Sequence, residues 1–220
     1  MKKNLKILKT SPLFSDIDEK DLLTMLNCLS ARKAVFTKDS YIFTAEGIVN
    51  DVGIVLSGSV NIIKEDFWGN RAILAKTQSG ELFGEAFSFA GAKRLPVSVV
   101  AAEKTEVLFV DFKKITTTCS SSCNFHTQLI SNILKILAQK NIMLTQKLEH
   151  IVKRTTREKL LSYLSEQAIK HASNNFTIPF NRQELADYLS VDRSAMSNEL
   201  SKLRDEGILE FSKNNFKLIK

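Results

Sequence analysis

The chain has 220 residues, of which 44% are hydrophobic and 25% charged, and its formal net charge is +7. This length and composition predict a globular protein of at most two domains. No apolar run approaches the roughly 18 residues of a membrane span, and the first lysines precede acidic residues instead of the apolar core of a signal peptide. We therefore expect a cytoplasmic protein with reduced thiols and no membrane partner. The positive charge is compatible with a nucleic-acid partner but does not prove one.

The first half of the chain predicts a short helix followed by a sheet. Residues 11–30 form the helical segment, with Leu22, Leu23, Leu26 and Leu29 on its apolar side. From Arg32 to Asp111, turn residues separate short runs rich in β-branched and aromatic side chains, namely Ala34–Thr37, Tyr41–Thr44, Val52–Leu56, Val60–Lys64, Ile73–Lys76, Val97–Ala101 and Glu106–Val110. Many short strands at this spacing predict an antiparallel sandwich or roll instead of βαβ units.

A long helix follows, from about Cys123 to Val152, because this stretch contains neither Pro nor Gly. One row of residues steps alternately by four and three positions: Ile130, Leu134, Leu137, Asn141, Leu144, Leu148 and Ile151. This heptad seam predicts a contact with the same helix of a second chain, in which Asn141 sets the register. A second apolar row, Phe125, Leu129, Ile133 and Ile136, can cover the β domain. The alternative is one buried helix within a monomer.

The cysteines allow two interpretations. The chain has Cys28, Cys119 and Cys123, and His126 follows the last two closely. A metal site or a redox switch is one hypothesis, and small packing residues at the start of a helix are the other. Zinc and iron–sulfur sites need four ligands, and the sequence offers no fourth, so we expect no metal site.

The C-terminal fifth predicts two helices joined by a tight turn. Asn181 and Glu184 form a capping box that opens the first helix, and Asp192 caps the second. In the second helix Met196, Leu200 and Leu203 face the core. The remaining positions form a polar face suited to base edges and phosphates: Arg193, Ser194, Ser197, Asn198, Ser201 and Lys202. The alternative is a helical hairpin whose polar face is merely solvated.

A terminal hairpin strengthens the DNA-binding interpretation. Gly207 ends the second helix, and two apolar-rich runs, Ile208–Phe211 and Phe216–Ile219, flank Lys213. A helix-turn-helix followed by a hairpin is a winged helix. We expect Lys213, at the tip of the wing, to contact phosphate.

Three segments resemble the Crp–Fnr family of bacterial transcription regulators: LSGSV at 56–60, SGELFGEAF at 79–87 and RQELADYLSVDRSAMSNELSKLRDEGIL at 182–209. The resemblance implies an α+β fold with a cyclic-nucleotide-binding-like β-roll sensor at 1–122, a dimerisation helix at 123–152 and a winged helix-turn-helix at 153–220. It further implies a homodimer that binds palindromic double-stranded DNA and works with RNA polymerase.

The same resemblance implies roles for single residues. Arg182 and Gln183 match positions that touch the DNA backbone, and Arg193, Ser194 and Asn198 match positions of the recognition helix that enter the major groove. We include Asp192, Ser197, Ser201, Lys202 and Lys213 in the predicted DNA-binding set. Relatives often carry Arg at the position of Asn198, and Asn prefers adenine, so we expect a different half-site.

The predicted effector site consists of Phe83, Gly84, Glu85, Phe87, Arg94 and Ser98. In cyclic-nucleotide-binding relatives the residue matched by Glu85 accepts the ribose hydroxyl, and a downstream Arg with Ser or Thr holds the phosphate. Here Leu95-Pro96 follows Arg94 and lacks the hydroxyl and the N–H that a phosphate needs. We therefore expect a small organic effector other than cyclic AMP. The alternative is that the phenylalanines are core residues and the pocket is vestigial.

The sequence leaves two other function classes to consider. The chain could be an interaction module whose winged helix contacts a protein partner. An enzyme is not expected, because the sequence places no nucleophile and carboxylate beside His126, His150 or His171 and has no Gly-rich phosphate loop.

Overall fold

The computed structural model describes residues 5–116 and 125–219. It divides into two compact units, Met1–Trp68 with Leu74–Lys140 and Gly69–Ile73 with Asn141–Lys220. The fold is α+β, as predicted. No helix among the described residues is long and apolar enough to cross a membrane.

The first unit opens with two helices, α1 (Leu5–Thr10) and α2 (Glu19–Cys28), with a short 3-10 turn at Pro12–Phe14 between them. Leu22, Leu26 and Leu29 are buried as predicted. Leu23 is 40% exposed, so its placement on the apolar side was wrong. At 100° per residue it lies beyond the edge of the buried stripe.

Eight strands form the β-roll in two four-stranded sheets, of order β1-β8-β3-β6 and β2-β7-β4-β5. Their bounds are β1 Arg32–Phe36, β2 Tyr41–Phe43, β3 Asp51–Ser57, β4 Ser59–Glu65, β5 Arg71–Gln78, β6 Leu82–Phe83, β7 Ser98–Ala101 and β8 Thr105–Asp111. The seven predicted strands are all present. The sequence missed β6, because two residues are too few to stand out as a run of β-branched and aromatic side chains.

Strand β3 has successive apolar residues because it is buried on both of its faces. Val52 and Ile54 contribute to a core shared with the helices, whereas Val55 lies in the cluster between the sheets. Both faces of this strand are therefore covered, and its residues are buried without alternation. Position 53 in this strand requires glycine, because a Cβ there would lie 2.2 Å from the ring of Phe83.

Three more helices complete the α part of this region: α3 (Glu85–Phe89), α4 (Phe112–Thr116) and the long α5 (Phe125–Ile151). The predicted second apolar row of α5 is confirmed in part, since Leu129, Ile133 and Ile136 are buried in the core formed with α1, α2 and the first sheet. This packing orients α5 so that most of its heptad row, apart from Leu137, faces away from that core.

The second unit contains α6 (Thr156–His171), α7 (Arg182–Leu189) and α8 (Arg193–Asp205), together with strands β9 (Asn175–Thr177), β10 (Leu209–Ser212) and β11 (Asn215–Leu218). Thr155 and Glu158 form the predicted capping box of α6. The predicted wing hairpin is present, but β9 adds a third strand to it, in the order β10-β11-β9. The sequence missed β9, whose pairing partner β11 lies far along the chain.

Candidate functional site

The helix-turn-helix is built by the local signals that the sequence contains. Glu184 N–H donates to the Asn181 side chain over 3.0 Å, and Asn181 N–H donates to the Glu184 carboxylate over 2.9 Å. The Asp192 carboxylate accepts from Ala195 N–H over 2.8 Å and thereby caps α8. The side chains that lock the two helices together are fully buried: Leu185, Leu189, Met196, Leu200 and Leu203. The buried side of α8 thus leaves the opposite face outward.

Serine hydroxyls on that outward face are already engaged within the helix. Ser197 Oγ donates to the Arg193 carbonyl over 2.9 Å, and Ser201 Oγ donates to the Ser197 carbonyl over 3.1 Å. Ser194 Oγ donates to the Asp192 carboxylate. Their oxygens can still accept hydrogen bonds, so they suit contacts with donors better than contacts with phosphate oxygens.

Arg193 and Asn198 are exposed on α8, and among the described residues no intrachain hydrogen bond or ion pair holds either side chain. Asn198 and Lys202 also line an open groove of about 510 Å³ whose other wall is the start of α6, at Thr155–Arg157. Lys202 pairs with Glu199 over 2.7 Å, which draws its ammonium toward the helix surface. The side chains most available for an incoming duplex are therefore Arg193 and Asn198.

The side chain of Arg182, which is predicted to touch the DNA backbone, also packs within the chain. It is half-buried, and its guanidinium carbon lies 4.7 Å from the ring centroid of Phe211 and 4.8 Å from that of Phe216. Burial lowers the pKa of Arg182 from its ordinary value. The side chain thus fastens α7 to the wing by cation–π contacts. Gln183 is exposed, with its amide donating to Asp187 over 2.8 Å, and Lys213 is exposed at the wing tip.

The interior of the roll is filled by aromatic side chains. Phe83 is fully buried, with its ring centroid 5.5 Å from that of Phe43 and 6.4 Å from that of Phe109. Phe36 packs edge-on against Phe109 at 6.2 Å. Phe87 is half-buried on α3. Of the two interpretations offered for these phenylalanines, the structure favours core packing for Phe83.

Glu85 is buried at the start of α3, directly after Gly84, whose φ of +82° makes the turn from β6. One carboxylate oxygen, Oε1, lies 2.6 Å from Lys140 Nζ of α5. The same ammonium donates to the Leu82 carbonyl over 2.6 Å. The Glu85 carboxylate, which is predicted to bind an effector, is therefore already paired with a lysine of the same chain.

The other predicted effector residues are not assembled around Glu85. The guanidinium of Arg94 is exposed and pairs with Glu46 over 3.1 Å. Ser98 Oγ accepts from Ala45 N–H over 2.9 Å. Leu95 is buried, and its backbone is hydrogen-bonded to that of Glu46 and Gly47. The structure thus brings together Phe83, Gly84 and Glu85, and leaves Arg94 on the surface.

Lys140 is a candidate residue that the sequence analysis missed. It continues the buried row of α5 four residues beyond Ile136, and Lys147 continues it a further seven. A lysine in a row that otherwise faces the core was the available signal, because a buried ammonium needs a partner. Lys147 is 6% exposed, donates to the Ile73 carbonyl, and lies 4.1 Å from the ring centroid of Tyr188.

The heptad row of α5 is mostly uncovered. Ile130, Leu134, Leu144 and Leu148 are exposed hydrophobic residues, with exposed fractions of 37%, 63%, 53% and 60%. Asn141 is also exposed, Ile151 is half-buried, and Leu137 packs partly against the core. An isolated chain would leave this apolar stripe in water.

One expectation about histidine was wrong. His150 lies between Ser162, with Oγ 2.8 Å from Nδ1, and Glu166, with Oε2 2.5 Å from Nε2. These partners come from α6 and so could not be seen from residues near His150. The ring is 3% exposed and packs against Tyr163, so the arrangement ties α5 to α6 inside the second unit.

The proposed cysteine site lies partly outside the described residues, which exclude Cys119 and Cys123. His126 is buried, with its ring centroid 5.1 Å from that of Phe125. Within residues 5–116 and 125–219, no group of three or more His, Cys, Asp or Glu side chains could hold a metal ion.

Comparison with known proteins agrees with this architecture. The model of the cyclic nucleotide-binding domain matches residues 33–122, and that of the Crp-like helix-turn-helix domain matches residues 158–220. The nitrogen fixation regulation protein FixK of Azorhizobium caulinodans is 25% identical over 186 residues, which cover 80% of this chain and 70% of that protein.

Solved structures support the fold. FixK2 from Bradyrhizobium japonicum has a TM-score of 0.68 at 20% identity, covering 86% of this chain and 93% of its own. The c-di-GMP responsive regulator CLP of Xanthomonas campestris has a TM-score of 0.74 at 18% identity, covering 92% of this chain and all of its own. With a sensor domain and a DNA-binding domain both matched, this chain belongs to the Crp–Fnr family of transcription regulators.

Proposed function

We propose that this regulator acts as a homodimer that reads a two-fold-symmetric site in double-stranded DNA through α8. The observation that carries this proposal is the exposed pair Arg193 and Asn198 on a helix whose opposite face is fully buried. Arg and Asn are the side chains that make bidentate contacts with guanine and adenine edges in the major groove. Such a protein acts where chromosomal DNA is found, in the cytoplasm, and RNA polymerase is its expected protein partner at a promoter.

The exposed seam of α5 supports the dimer. Four large aliphatic side chains along one stripe would remain in water in a monomer, and an identical stripe on a second copy would cover them. The seam spans Ile130 to Ile151, which is about 30 Å of helix at 1.5 Å per residue. Asn141 near its middle can pair with its own copy and so specify two strands in register.

Selection of binding sites from a random duplex pool, followed by fluorescence anisotropy, tests the proposal. We expect a two-fold-symmetric consensus and an affinity that falls steeply as salt rises, because phosphate contacts release counterions. Binding that shows no sequence preference, or no duplex binding at all, would refute it. Retention of a protein partner in the absence of duplex binding would instead favour the interaction-module interpretation.

We further propose that the sensor responds to a small molecule other than cyclic AMP. The support is chemical. Glu85 is paired with Lys140, and Arg94 is paired with Glu46 on the surface. Leu95 has no hydroxyl and Pro96 has no backbone N–H to offer a cyclic phosphate. Calorimetry with cyclic AMP is expected to give no binding in the micromolar range. A micromolar dissociation constant that Glu85→Ala abolishes would overturn this part. No catalytic role is proposed for any residue.

A further inference from the structure

The sensor contains a deeply buried carboxylate that is neutralised from the long helix. The side chain of Glu85 is 3% exposed, and that of Lys140 is 30% exposed. The Lys140 ammonium donates both to Glu85 Oε1 and to the Leu82 carbonyl, so it holds β6 and α3 at two points. A carboxylate at this depth is tolerated only when a counter-ion and hydrogen bonds compensate for its lost hydration.

The same carboxylate has unused capacity. Among the described residues, Glu85 Oε2 is buried and has no hydrogen-bond partner. Because this oxygen is buried, a ligand that brings donor groups to it has to move the side chains that cover Glu85, and Lys140, whose side chain is 30% exposed, is the one paired with this carboxylate. The ion pair therefore lies where an effector is expected to bind. A role for the pair in the response to an effector rests on the proposed function.

We infer that the Lys140–Glu85 ion pair is a latch that holds α5 against the sensor in the DNA-binding form, and that an effector acts by displacing Lys140. The pair can act at a distance through α5, which starts in the first compact unit, carries the whole proposed dimer seam and ends in the second. When the pair is closed, α5 is fixed to the β6–α3 turn and the seam is held in one orientation. When it opens, a buried carboxylate is left without its counter-ion and α5 loses this attachment.

The test uses the full chain and compares Lys140→Met, Glu85→Gln and the double variant with Lys135→Met, which changes an exposed lysine on the same helix. Hydrogen–deuterium exchange measures the protection of α5 over residues 129–140, and anisotropy measures affinity for the selected duplex. We expect each single variant at the latch to lower α5 protection by about tenfold or more and to weaken DNA binding by about tenfold. The double variant should lose no more α5 protection and no more DNA affinity than either single variant, because the two residues act as one unit.

Lys140→Arg keeps the positive charge that compensates Glu85 and should retain DNA affinity within about threefold, and Lys135→Met should behave as the wild type. Unchanged α5 protection in Lys140→Met, or lowered protection with unchanged DNA affinity, would overturn the latch. A loss of DNA affinity in Lys140→Arg as large as that in Lys140→Met would also overturn the latch. A wild-type protein that binds no duplex would instead refute the proposed function, and the α5 protection of the variants would still decide whether the pair holds the helix.

Discussion

The buried Lys147 predicts a pH dependence of stability whose sign and size follow from its surroundings. Its ammonium lies in the second unit against the ring of Tyr188, and burial lowers the pKa of Lys147 from 10.5 to about 8. The unfolded chain therefore holds this proton more tightly than the folded one between about pH 8 and pH 10.5. Stability rises with pH wherever the unfolded state binds more protons, so the contribution of Lys147 to the free energy of unfolding should rise across this window.

The full difference of about 2.5 pKa units corresponds to about 3 kcal/mol, at 1.36 kcal/mol per unit. Between pH 7.5 and 9.5 the linkage relation gives a gain of about 2 kcal/mol. Above pH 10 the trend should reverse. Burial raises the pKa of Tyr188 from 10.0 to about 12, so the unfolded chain loses that proton first and the folded state is disfavoured.

The assay is urea denaturation at several pH values, comparing the wild type with Lys147→Met. The variant loses the cation–π contact and the bond to the Ile73 carbonyl, so its stability differs at every pH. The difference between the two profiles isolates the titration, and it should change by about 2 kcal/mol between pH 7.5 and 9.5. Lys135→Met, at an exposed site, should run parallel to the wild type. Parallel profiles for Lys147→Met and the wild type would refute the reasoning.

Three further outcomes are expected. Replacing Leu144 and Leu148 with Lys should give a monomer in sedimentation, because both side chains are exposed in one chain and the new lysines would bring like charges together in the dimer; a wild-type monomer at micromolar concentration would contradict the seam. Asn198→Ala should lose about 1–3 kcal/mol of discrimination between bases at one position of each half-site. Lys213→Ala should keep the consensus and lower the slope of the salt dependence by about one. An unchanged consensus for Asn198→Ala would show that Asn198 does not contact bases in the groove. Asp192→Ala should lower the free energy of unfolding in urea, and Asp192→Asn should restore most of it, since Asn also caps; equal losses in both variants would show that the cap is not the cause.

Sequence alone determined the features whose causes lie within a few residues of each other. The capping box at Asn181 and Glu184 and the cap at Asp192 were predicted and are present, because each needs a backbone N–H only three residues away. Runs of β-branched and aromatic residues between turn residues predicted the seven longer strands of the roll. Heptad spacing predicted which row of α5 stays mostly uncovered, since helical periodicity reports which face of a helix meets the core. The position of the recognition helix followed from the same local rules.

Tertiary structure decided the features whose partners are far apart in the chain. Glu85 meets Lys140 across 55 positions, and His150 meets Glu166 across 16. Arg182 turns toward the wing because the rings of Phe211 and Phe216 are placed beside it by the β10–β11 hairpin. A lysine, glutamate or arginine looks like a solvated surface residue in the sequence. Only the packing of sheets and helices removes its water, and the loss of hydration then forces it onto whichever oppositely charged or aromatic group the fold has brought within reach.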